Sequence, residues 1–212
     1  MDRFIRFAVG STVLGGLLLA AGAGLQAAVG GEMSEAAPTT GFAVAAALRL
    51  LGVVALVIGL TGIYLRASDR AGRLGLVGYV LTVANLVLQA GVMWADLFLS
   101  GVVAEQAPGI VDGTVSDARL SAGFLATWVF NVSFAVLGVA ILRSRVYHRT
   151  VGWALVAMGL ITVVPLPVDG PIYEVVIGLA ALVAGVAARR PADRPEPALD
   201  RALDARAVAT EA

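Results

Sequence analysis

The stretch Gly41–Leu65, GFAVAAALRLLGVVALVIGLTGIYL, decides how the rest of the chain is read. A bilayer's hydrocarbon core is ~30 Å thick, and a helix crosses it with about 20 apolar residues. This stretch is long enough, yet it carries Arg49 well inside its apolar run. Counted from Gly41, Arg49 lies about eight residues in, or ~12 Å at 1.5 Å per residue, close to the middle of such a core. A lone arginine there costs ~2.5–3.5 kcal/mol on insertion scales, so it needs a partner, water, or a route to the interface. The other apolar segments then read as the bundle that shelters it.

Composition agrees with a membrane setting. Hydrophobic residues make up 59% of the 212, charged residues only 14%, and mean hydropathy is +0.89; a soluble domain is nearer half apolar and a quarter charged. The formal net charge is zero, which argues against nucleic acid as a partner. With no cysteine, disulfides, thiolate catalysis and cysteine metal sites are excluded. Every basic residue is arginine, so lysine Schiff bases and Walker-type phosphate loops are excluded too. His148 is the single histidine, which rules out paired-histidine haem ligation and histidine-rich metal sites. No catalytic set, metal site or cofactor is expected; the chain reads as not an enzyme.

Six spans emerge. The first apolar run, Phe7–Val29, exceeds the 7–15 residues of a signal-peptide core and reads as a retained helix rather than a cleaved leader. Gly30–Thr40 is a polar loop before the second span, and Arg66–Arg73 (RASDRAGR) a tight basic loop after it. Leu74–Leu99 is the third span and Ser100–Leu120 the longest loop, with Pro108-Gly109 as a breaker. Ser121–Leu142 is the fourth span, Arg143–Arg149 (RSRVYHR) a second basic loop, and Thr150–Pro165 the fifth span. After the proline turn Pro165–Pro171, the sixth span is Ile172–Ala188. The division is a six-helix transmembrane domain over 1–190 and a polar, disordered cytoplasmic tail over 191–212.

Arginine placement orients the spans. Arg3, Arg6, Arg66, Arg70, Arg73, Arg143, Arg145, Arg149, Arg189 and Arg190 fall at one set of ends, and only Arg119 at the other. Short arginine-rich loops stay cytoplasmic, so both termini are expected inside a multi-pass cytoplasmic-membrane protein.

Small and polar residues four and seven apart form stripes: Ser11, Gly15, Gly22, Gln26 on the first span; Gly78, Asn85, Gln89, Asp96 on the third; Gly123, Thr127, Asn131, Gly138 on the fourth; Glu174, Gly178, Ala181, Gly185 on the sixth. Lipid supplies no hydrophobic drive for helix association, so such stripes mark packed faces, or else line a polar cavity open to the outside. Asp96, Asp169 and Glu174 sit near outer span ends and read first as loop-end charges facing water. Asp96 and Glu174 are also the carboxylates an inward-turned Arg49 can reach. The expected intramembrane polar cluster is therefore Arg49 bonded to Glu174 or Asp96, with Gln89 or Gln26 nearby and Asn131 on a facing span. It serves either as structural glue or as an anchor for an anionic ligand or lipid headgroup.

The runs LRLLGVVALVIGLTGIYLRASDRAGRLGLVGYVL, WADLF (Trp94–Phe98) and VLGVAILRSRVYHRTVGWALVAMGLITVVPLP resemble a broad class of small bacterial multi-spanning proteins, carried as domains of unknown function, over roughly Arg49–Ala188. The resemblance implies a six-helix integral membrane fold and transfers no activity or site residue. Two functional readings follow: a non-enzymatic membrane module or accessory subunit, with a membrane-protein partner or a second copy of itself; or a small-solute or lipid-binding, transporting protein with an outward-facing site around Arg49. The lipid bilayer is a partner in both.

Overall fold

The computed structural model describes residues 2–113, 130–161 and 170–190. The described residues are helical, without strands: α1 (Asp2–Val29), α2 (Met33–Ala36), α3 (Thr40–Phe98), α4 (Ser100–Gln106), α5 (Pro108–Val111), α6 (Val132–Ser144), α7 (Arg149–Leu160) and α8 (Gly170–Ala188). Three of them, over Arg3–Val29, Thr40–Phe98 and Pro171–Ala188, are long and apolar enough to cross a membrane.

The 59 residues of α3 are two helices folded back on each other. Arg49 and Asp96, 47 residues apart, touch; in one straight helix they would be ~70 Å apart. The chain reverses at Gly72, whose φ of 58° and ψ of −157° are not helical. Only glycine enters that region without steric cost, so the turn falls where the residue lacks a Cβ. The arms, 40–71 and 73–98, are tied near the turn by Tyr64 stacked on Tyr79 at 4.3 Å and by a 3.0 Å hydrogen bond between Thr61 Oγ1 and the Tyr79 hydroxyl. Thr39 opens α3 by accepting the Phe42 N–H at 3.2 Å, the ordinary N-cap use of a threonine.

Around this hairpin, α1 packs on the first arm and on α8, α6 on the second arm, and α7 between α6 and α8. The small-residue stripes are the contact lines. A Cβ on Gly15 would lie 2.8 Å from the Gly52 carbonyl of the first arm, and one on Gly178 would lie 2.7 Å from the Ala20 backbone nitrogen. Backbones that close exclude any side chain, which is how apolar helices gain van der Waals contact where lipid offers no other drive. Gly185 meets Val13 in the same way, and Gly138 meets Gly152 across α6 and α7.

Several expectations change. The first helix starts at Asp2, five residues before Phe7. The basic segment expected as a loop is helical through Ala71 and turns only at Gly72, because arginine and alanine are strong helix formers that hydropathy alone misreads as a span end. The expected loop beginning at Ser100 contains α4 and α5, and Gly30–Thr40 contains α2. Together α2, α4 and α5 cap the Thr40 end of the bundle: Ala36, Ala37, Phe42 and Ala104 form a small apolar cluster there, and Asp112 Oδ1 accepts the Ser34 N–H at 2.8 Å. Gly123, Thr127, Asp169, Arg119 and the 191–212 tail lie outside the described residues.

Candidate functional site

Arg49 projects from the first arm of α3 into the bundle, and its side chain is 6% exposed. Room for its stem comes from Gly22 of α1: a Cβ there would lie 2.8 Å from Arg49 Cγ. Gln26 stands one turn beyond Gly22 on the same face, and its Oε1 accepts from Arg49 Nη1. On α8 the pattern recurs, with Gly178 at the close contact and Glu174 one turn toward the Thr40 end. Glu174 takes the guanidinium with both oxygens: Nε donates to Oε2 and Nη2 to Oε1, each at 2.6 Å. This bidentate fork is the strongest arrangement open to an arginine and a carboxylate. Asp96, from the second arm, accepts from Nη1 through Oδ2 at 3.1 Å, and its Oδ1 accepts from the Ser100 hydroxyl at 3.4 Å.

Four segments thus converge on one guanidinium, which spends four of its five N–H donors on them. Neither carboxylate is a loop-end charge in open water: the Asp96 side chain is 15% exposed and that of Glu174 22%. Two carboxylates serve one cation.

Gln89 and Asn131 are not on Arg49. They form a second, deeper group with Asn85. Asn131 Oδ1 accepts from Asn85 Nδ2 at 2.9 Å and from Gln89 Nε2 at 3.5 Å. The sequence placed Gln89 on the Asp96 face, and two helical turns are enough to carry it out of reach of the guanidinium and over to α6. Asn85 and Asn131 are both buried. Beside them Asn85 Oδ1, Thr82 Oγ1 and Ser133 Oγ have no hydrogen-bond partner among the described residues. Asn85 stood on the third-span stripe and so was findable; Thr82 and Ser133 gave no signal beyond being polar in an apolar run.

Between the two groups lies a cavity of about 20 Å³ bordered by Glu174, Gln89, Asn131 and the apolar side chains of Leu56, Phe134 and Ile177. That is room for one water molecule. Among the described residues no cluster of three or more histidine, cysteine, aspartate or glutamate side chains could hold a metal ion.

Comparison with protein families, with curated proteins and with solved structures returns no match to this chain.

Proposed function

We propose that the chain is a six-span cytoplasmic-membrane protein with both termini inside, acting as a non-enzymatic membrane module or accessory subunit. The observation that carries this reading is that Arg49 spends four of its five N–H donors inside the chain. Its donors go to Glu174, Asp96 and Gln26 within the chain, and the neighbouring cavity admits about one water. An anionic ligand would compete for the guanidinium with Glu174, which already holds it bidentately, and with Asp96.

The test is a thermal-shift screen of the purified protein against small organic anions, amines and inorganic ions. Pairing of Arg49 within the chain predicts no solute that raises the melting temperature of wild type but not of Arg49→Leu. A solute that stabilises wild type and loses its effect in Arg49→Leu would overturn the module reading in favour of an outward-facing binding site.

A further inference from the structure

The Gly72 end of the bundle is built from arginine. Arg66, Arg70 and Arg73 surround the α3 turn, and Arg143, Arg145 and Arg149 surround the α6–α7 connection; the ends of α1 and α8 add four more. All are exposed. Along these stretches the sequence supplies two carboxylates, Asp2 and Asp69, and the ion pairs among the described residues belong to Arg49 alone. Among the described residues, then, no salt bridge ties up the guanidinium groups at this end.

The two basic segments are held side by side. The Arg66 guanidinium sits 5.2 Å from the centroid of the buried Tyr147 ring, a cation–π contact that joins the α3 turn to the α6–α7 connection. That connection turns at Arg145, whose φ of 53° is left-handed, and Ser144 Oγ accepts the Val146 N–H at 3.4 Å just beyond. Closer to the bundle interior, a Cβ on Gly75 would lie 3.7 Å from the Ala140 Cβ, so the helices carrying the two segments stay in contact up to the turn.

We propose that this end binds the phosphodiester headgroups of anionic phospholipids, with the seat between the α3 turn and the α6–α7 connection. The inference rests on the membrane-spanning reading, which puts this end level with one headgroup layer. Guanidinium matches a phosphate's oxygens bidentately, and it is the only kind of cationic side chain apart from His148 that the chain possesses. A basic residue at an anionic membrane surface contributes roughly fivefold in affinity, so four of them together dominate lipid choice.

The full chain is reconstituted in phosphatidylcholine vesicles with and without phosphatidylglycerol, and the lipid retained after detergent extraction is counted by native mass spectrometry beside the melting temperature. Wild type is expected to retain phosphatidylglycerol in preference to phosphatidylcholine and to melt higher with it. The preference should shrink at high salt, and should fall by roughly tenfold or more in the variant with Arg66, Arg143, Arg145 and Arg149 all changed to glutamine. The salt series on wild type decides the matter if that variant fails to fold. Equal retention of the two lipids, a preference indifferent to salt, or the same stabilisation from inorganic phosphate would overturn the proposal. Alkaline carbonate extraction separates the two levels: a protein that stays in the vesicles but shows no lipid preference sinks this inference alone, whereas one that is stripped off sinks the spanning reading beneath it.

Discussion

Replacing Arg49 with leucine removes the centre of the polar cluster and leaves Glu174 and Asp96 facing each other without a cation. Breaking one side of a buried ion pair costs ~3–5 kcal/mol, because the remaining charge is left uncompensated. Glu174 is 22% exposed and Asp96 15%, so water relieves part of that cost and the lower end, ~3 kcal/mol, applies. For a chain of this length each kcal/mol moves the melting temperature by roughly 2–4 °C, so Arg49→Leu should melt ~6–12 °C below wild type in detergent. The carboxylates should rank. Glu174 holds two bonds at 2.6 Å and Asp96 one at 3.1 Å, so Glu174→Gln should cost more than Asp96→Asn. Adding Glu174→Leu to Arg49→Leu should recover part of the loss, since the second change removes one of the two carboxylates left without a cation. Thermal unfolding followed by circular dichroism or intrinsic tryptophan fluorescence reads all four variants. The reasoning fails if Arg49→Leu melts with wild type, or if Asp96→Asn proves the more damaging of the two carboxylate changes.

Other consequences can be measured in the same way. Gly178→Leu and Gly185→Leu each force a side chain onto the α1 backbone, so each should lower the melting temperature and loosen α8; wild-type stability in both would refute the close α1–α8 contact. At Gly72 a Cβ meets nothing within 4 Å, so Gly72→Ala isolates backbone strain at φ 58° and should cost ~1–3 kcal/mol without changing any contact. Burial pushes the Tyr147 phenol up to about 12 despite the nearby Arg66. The folded chain therefore keeps this proton where the unfolded chain, near 10, has lost it. Stability tied to Tyr147 is intact below pH ~10 and falls by up to ~2–3 kcal/mol as pH rises toward 12. Tyr147→Phe should flatten that alkaline loss and cost little at neutral pH, because it keeps the buried ring and the face that meets Arg66; an unchanged alkaline limb would count against the burial argument.

The polar cluster was legible from one residue's depth. An arginine ~12 Å down a span has few places to go, and counting inward from the ends of the other spans left Asp96 and Glu174 within reach. The stripes carried the rest of that geometry: Gly22–Gln26 and Glu174–Gly178 each pair a glycine that lets a helix approach with a polar residue one turn on that meets the guanidinium. Spacing along a helix could not say which carboxylate would own Arg49, nor that Gln26 rather than Gln89 would join it, because both depend on how the helices rotate against one another. Element ends were also obscured. Hydropathy marks where a helix would leave lipid, not where its backbone stops, so helix through residues 66–71 and the short helices α2, α4 and α5 were invisible to it.

The two-sided six-span arrangement is the central claim, and the chain is suited to testing it because it contains no cysteine. Single cysteines introduced as Glu105→Cys, at the Thr40 end, and Ser68→Cys, at the Gly72 end, can be labelled in intact cells with a membrane-impermeant maleimide. Glu105→Cys should label in intact cells, and Ser68→Cys only after the membrane is permeabilised. Labelling of both from outside, or of Ser68→Cys alone, would contradict the arrangement.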